Sequence, residues 1–115
     1  MIDATVENLD IYIAAYVTCL IDWNPEVLSA DETGSRLPLH RDVVNRLAKE
    51  LSGKLDLEER MDLVRQGDKA LREHAAEIWE WYKQDGRDRE REEKKVPHER
   101  WWWYLDKPEV WPPLD

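Results

Sequence analysis

Residues 56–82, DLEERMDLVRQGDKALREHAAEIWEWY, carry the clearest helical periodicity in the chain and decide the fold. One set of positions, called the seam below, recurs in alternating steps of four and three and so follows one side of a helix, which is a heptad pattern. Asp56 and Glu59 have the spacing of a capping box, so we predict a helix over 56–85. It packs either against helices of its own chain or against a second copy or partner. The seam consists of Leu57, Met61, Val64, Asp68, Leu71, Ala75, Ile78 and Tyr82.

Two more helices are predicted ahead of this stretch. Apolar residues form two stripes at helical spacing over 4–23, which indicates a helix with two neighbours that ends before Pro25. Another helix is predicted over 38–52, because Pro38 suits a first turn and Gly53 suits a C-terminal stop. The expected fold class is therefore all-α, with the three helices packed as an antiparallel bundle.

Composition divides the chain into three parts. Residues 1–86 contain the predicted bundle domain. Residues 87–97 interleave acids with bases, which favours a solvated helical extension or linker over a nucleic-acid-binding arm. Residues 98–115, HERWWWYLDKPEVWPPLD, are predicted to be a Trp-rich docking segment.

The docking segment holds four of the seven tryptophans. A buried tryptophan contributes about 2 to 3 kcal/mol through the apolar area that it removes from water, so the segment is expected to dock. Three destinations stay open: the groove between helices of its own chain, a second copy of the chain, or a different protein. The predicted partner-binding residues are Trp101, Trp102, Trp103, Tyr104 and Trp111.

Negative charge is concentrated in the first third of the chain. The net charge is −9, and no Lys or Arg precedes Arg36, so the seven carboxylates before it give that part a formal charge of −7. Such a region repels a phosphate backbone, and no direct nucleic-acid partner is expected. The carboxylates either face water and pair with later helices, or form an acidic surface for a basic partner. They are Asp3, Glu7, Asp10, Asp22, Glu26, Asp31 and Glu32.

The sequence also predicts the compartment. Cys19 is the only cysteine, so no internal disulfide and no cysteine-based metal cluster is expected. The apolar run at 11–21 has about half the length that a bilayer crossing needs, and the acidic N-terminus does not resemble a secretory signal. We therefore expect a cytoplasmic protein with no membrane partner.

Catalytic signatures are absent from the sequence, which has no Gly-rich phosphate loop, no nucleophile elbow and no zinc-protease motif. One weak set of candidate metal ligands consists of His40, His74 and Glu77, and a metal-binding or enzymatic helical bundle is the alternative that they define.

The sequence favours a non-enzymatic adaptor, inhibitor or regulatory subunit without a cofactor. Its partner is another protein or a second copy in a homodimer. The chain binds it through the docking segment 98–115, called the aromatic segment below, and through the acidic surface. A further alternative is an acidic decoy that occupies the basic groove of a nucleic-acid-binding protein.

Overall fold

A computed structural model describes residues 2–113, and within them every regular element is helical, which confirms the all-α class. None of these helices has the length and apolarity that a membrane crossing requires. Three short 3₁₀ turns lie at Gly34–Arg36, Trp101–Trp103 and Pro108–Val110. The α-helices are α1 Val6–Ile21, α2 Pro25–Ser29, α3 Leu37–Leu51, α4 Glu58–Glu73, α5 Ala75–Gln84 and α6 Arg87–Lys94.

Local sequence signals account for the beginnings of the first two helices. The Thr5 side chain accepts a hydrogen bond of 3.1 Å from the backbone N–H of Asn8, which satisfies one of the free donors at the start of α1. Asn24 caps α2 in the same way, with Pro25 in the first helical position. Helix α1 therefore occupies the centre of the predicted range.

The helix predicted over 56–85 is two helices in the structure. His74 leaves helical geometry, with φ −111° and ψ 21°, and separates α4 from α5. The capping box is also not formed, because Leu57 is the N-cap and Asp56 instead accepts a hydrogen bond from the N–H of Glu58. The seam nevertheless describes the buried side of both helices, since every seam position except Met61 is buried.

Helix α1 lies at the centre of the core, because α3 and α4 both pack against it. Its inward side chains are fully or nearly fully buried, and Gly67 of α4 approaches it closely. A Cβ atom at Gly67 would lie 2.8 Å from Cγ1 of Val17, so only glycine permits this helix separation. The buried residues of α1 are Leu9, Ile13, Tyr16, Val17 and Leu20.

Helix α6 occupies most of the predicted charged extension. It begins after Gly86, whose φ of 77° is a left-handed conformation that glycine adopts without strain. Although the helix is highly charged, Arg91 is buried and contacts the aromatic segment. The mixed-charge run thus contributes a contact to the interior as well as a solvated face.

Candidate functional site

The three consecutive tryptophans lie in a single 3₁₀ turn, Trp101–Trp103. Such a turn has three residues per revolution, so successive side chains point in directions about 120° apart. Residues 101–105 are all buried, with the turn packed against α3 and α6. Rings that point in different directions are buried together because helices lie on more than one side of the turn.

Asp42 of α3 holds two of these rings. Its carboxylate accepts a hydrogen bond of 2.8 Å from Nε1 of Trp102 and one of 3.0 Å from Nε1 of Trp103. Burial raises the pKa of the Asp42 carboxyl, although the two indole hydrogen bonds and Arg100 act to lower it. One carboxylate thereby satisfies two buried indole donors.

Three guanidinium groups lie against aromatic rings of the segment, and each comes from a different helix. A guanidinium within about 6 Å of a ring centroid is attracted by the ring's negative face. These contacts connect α3, α4 and α6 to the same short segment. The carbon-to-centroid distances are 4.3 Å for Arg41 on Trp102, 4.2 Å for Arg72 on Trp101 and 4.4 Å for Arg91 on Tyr104.

The aromatic segment also makes hydrogen bonds through its backbone. The Tyr82 hydroxyl donates to the carbonyl of Trp102 at 3.0 Å, and Arg91 donates to the carbonyl of Trp103 at 3.2 Å. Arg91 also forms an ion pair of 2.7 Å with Asp106. Because these carbonyls accept hydrogen bonds, the irregular backbone of the segment is buried with little loss of free energy.

A buried polar triad lies behind the segment. The Tyr16 hydroxyl donates to Oδ1 of Asp68 at 2.7 Å, and Arg41 donates to both carboxylate oxygens at 2.9 and 3.1 Å. Burial and the neighbouring Asp68 raise the pKa of the Tyr16 hydroxyl well above its usual value, so it stays a hydrogen-bond donor. The triad joins α1, α3 and α4, and it explains the polar position in the heptad seam.

The predicted partner-binding rings face the chain's own helices in this conformation. Trp101, Trp102, Trp103 and Tyr104 are buried, and Trp111 is half-buried with its indole N–H donating to the carbonyl of Tyr104 at 2.8 Å. Binding of another protein through these rings stays a prediction, and it requires the segment to leave its present position.

The candidate metal ligands have other neighbours. His40 lies beside Tyr12 with 5.9 Å between ring centroids, and burial, together with Arg36, lowers the pKa of its imidazole. His74 stacks on Trp23 at 3.5 Å, and Glu77 is exposed. Across the described part of the chain, no group of three or more His, Cys, Asp and Glu side chains is arranged to hold a metal ion.

The acidic surface is accessible to solvent, because all seven carboxylates ahead of Arg36 are exposed. Asp10 pairs with Arg60 at 2.7 Å and Glu32 pairs with Arg36 at 3.6 Å. None of the other five lies within ion-pair distance of a cation in residues 2–113. The first third of the chain therefore keeps most of its negative charge uncompensated at close range.

Apolar residues lie between these carboxylates on α1. Ile11 is 60% exposed and Ile21 is 40% exposed, and the small residues Ala14 and Thr18 between them are exposed as well. We name the exposed set Glu7, Ile11, Ala14, Thr18, Ile21 and Asp22 the α1 face.

The sequence analysis did not identify this face, because Ile11 and Ile21 belong to neither of the two apolar stripes from which it predicted the helix. It also did not identify Asp42 and the three ring-contacting arginines. Only the long-range packing brings those side chains to the aromatic segment.

Comparison with protein-family models, with curated proteins and with solved structures finds no match to this chain.

Proposed function

We propose that this chain is a non-enzymatic protein-interaction module that binds a basic partner through its acidic N-terminal surface. One observation carries the proposal: the seven carboxylates ahead of Arg36 are all exposed, whereas the rings of Trp101–Trp103 are turned inward. An adaptor, inhibitor or regulatory subunit binds through an accessible surface, and complementary charge increases the rate at which partners meet.

We further infer that α1, α3 and α4 form an antiparallel three-helix bundle on which the aromatic segment docks through residues 98–113; residues 114 and 115 of the predicted segment lie outside the described residues. Arg46, late in α3, donates a hydrogen bond to the carbonyl of Ile2, just before α1. His40, early in α3, lies beside Tyr12, which is further along α1, and the two contacts together support opposite directions for α1 and α3. Ion pairing of Arg60 with Asp10 and stacking of His74 on Trp23 support a common direction for α1 and α4. Such a bundle leaves one side of α1 uncovered.

The aromatic segment contributes to this function by completing the core. A small bundle of this size buries a limited apolar area, and the four buried aromatic residues of the segment, Trp101, Trp102, Trp103 and Tyr104, add to it. Its alternative role as an anchor for another protein or for a second copy remains a competing proposal, because the same rings can pack elsewhere after release.

Neutralising four acidic residues tests the proposal in full-length protein. The immobilised chain is used to retain partners from an extract of the native cell at two salt concentrations. A matched control neutralises four exposed acids of α4 and α5, so both variants change the net charge equally. The test set is Asp3, Glu7, Asp22 and Glu26, and the control set is Glu58, Glu59, Glu73 and Glu77.

The proposal predicts that partner retention is lost in the test variant, kept in the control and reduced by salt in the wild type. Equal retention by both variants contradicts it. Loss of retention in a folded Trp101→Ala, Trp103→Ala variant alone would instead identify the aromatic segment as the anchor. A stoichiometric transition metal found by elemental analysis would favour the metal-binding alternative.

A further inference from the structure

We propose that the α1 face binds an amphipathic helix of a partner protein, with Lys or Arg at both ends of that helix and small or apolar residues between them. The inference rests on the proposed function and adds the chemistry of the partner to it. Docking an amphipathic helix along an exposed helical surface is a common mode of peptide recognition.

The α1 face has the order of charges that such a helix requires. Glu7 and Asp22 lie near its two ends, and they are separated by fifteen residues, or about 22 Å along a helix. Ile11 and Ile21 lie between them and are 60% and 40% exposed. A partner of about four turns places its cations beside the two carboxylates and its apolar side beside the two isoleucines.

The centre of the face permits close approach. Ala14 and Thr18 lie one turn apart, and both are small and exposed. The Thr18 hydroxyl already donates to the carbonyl of Ala14 at 2.7 Å, so covering it leaves no donor unsatisfied. Two helices are able to pack more closely where small residues face each other, which increases van der Waals contact.

The charges exclude the same α1 face of a second copy as the occupant of this face. Helix α1 contains no Lys or Arg. A parallel pair of α1 helices places Glu7 opposite Glu7, and an antiparallel pair places Glu7 opposite Asp22. Both arrangements bring like charges together, so the complementary charge has to come from a helix other than α1.

The test uses the full-length protein and a displayed library of random 18-residue peptides. We expect retained peptides to carry Lys or Arg near both ends and small or apolar residues at helical spacing between them. Isotope-edited NMR of the protein with one such peptide is expected to shift amides along the α1 face. A single helix covers a small interface, so affinities of about micromolar order are expected.

Two pairs of variants locate the binding. Ala14→Gln adds bulk without charge at the centre of the face, and Ala76→Gln makes the same change at an exposed position of α5. We expect about tenfold weaker binding for the first and no change for the second. Both positions are exposed, and circular dichroism checks that both variants fold.

The charge variants are matched in the same way. Glu7→Gln with Asp22→Asn neutralises the two ends of α1, and Glu58→Gln with Glu73→Gln neutralises the two ends of α4. We expect the α1 pair to weaken binding about tenfold at low salt and the α4 pair to leave it unchanged. The effect is expected to shrink at high salt.

Two results overturn this inference and are distinguishable from each other. Retained peptides that are basic but lack helical spacing, and that bind equally to Ala14→Gln, contradict a helical partner while the proposed acidic interaction surface stands. Such peptides would instead support the alternative in which this chain is an acidic decoy for the basic groove of a nucleic-acid-binding protein. Failure to retain any basic peptide, or NMR shifts confined to residues after Arg36, contradicts both the inference and the proposed function.

Discussion

Replacing Asp42 by alanine removes the group that holds two buried indoles. The carboxylate accepts hydrogen bonds from Trp102 and Trp103, and both rings are almost completely buried, at 3% and 1% exposure. Without Asp42 the two indole N–H groups lose their acceptor in the interior. The change therefore tests whether the aromatic segment is held by the chain's own α3.

The expected loss of unfolding free energy follows from these contacts. A hydrogen bond to a charged group contributes about 1.5 to 3 kcal/mol, so two contribute about 3 to 6 kcal/mol. The Asp42 side chain is still 25% exposed, which allows water to replace part of the interaction. Alanine also favours the helix by about 0.5 kcal/mol. We expect a net loss of about 2 to 3 kcal/mol for Asp42→Ala, and about half of that for Asp42→Asn, which keeps one acceptor oxygen.

Urea unfolding measured by tryptophan fluorescence and by circular dichroism provides the assay, because the segment's indoles report docking and the helices report the bundle. Glu50→Ala is the control, since Glu50 is exposed on the same helix and pairs, among residues 2–113, only with the neighbouring Arg46. We expect the control to change stability by less than about 0.5 kcal/mol. A change this small for Asp42→Ala as well would refute the assignment of Asp42 as the anchor of the segment.

Three further predictions concern the buried triad, the close contact of α4 with α1, and His40. Tyr16→Phe is expected to lower the unfolding free energy by about 1 to 2 kcal/mol. Asp68→Ala is expected to lower it by about 3 to 5 kcal/mol, because the change leaves the buried guanidinium of Arg41 without its partner. Equal losses for the two variants in urea unfolding would contradict the triad. Gly67→Ala is expected to lower the unfolding free energy by about 1 to 2 kcal/mol, since its Cβ would lie 2.8 Å from a methyl carbon of Val17. Gly53→Ala is the control, because a Cβ there has open space, and thermal melts are expected to show almost no change in its stability. Because folding lowers the pKa of His40, the stability that its neutral imidazole contributes is present above pH 6.5 and is lost as the pH falls below that value. Unfolding curves of His40→Gln measured over this pH range are expected to lack this loss. An equal loss of stability in the variant would contradict the prediction.

Periodicity in the sequence was sufficient to predict where most helical segments lie. Apolar spacing and capping residues located α1 and α3 within a few residues, because those signals act within one turn of helix. The heptad seam identified the buried sides of α4 and α5. It did not predict the break at His74, since the seam continues across it without a change of spacing.

Pairings between distant residues were beyond the sequence. Asp68 was recognised as the polar seam position, but its partners Tyr16 and Arg41 lie 52 and 27 residues away. Nothing in the local pattern distinguishes Arg41 from the exposed arginines of the chain. The same reason explains why Asp42 was not predicted as an acceptor for two indoles.

The aromatic segment shows a different limit. Alternating sides, as in a strand, would place two of the four rings of residues 101–104 on an outer face. The sequence does not specify a 3₁₀ turn there. In the turn the rings point in three directions, and surrounding helices bury all of them. Their burial therefore depends on tertiary packing that one segment does not encode.

The most direct test of the account is the exchange of the indole N–H protons of Trp102 and Trp103 with solvent, measured by NMR on the isolated chain at a concentration where light scattering gives a monomer. The account predicts slow exchange for both protons, because the chain's own α3 accepts their hydrogen bonds. Rapid exchange in the monomer, or protection that begins only when two copies or a partner associate, would contradict it.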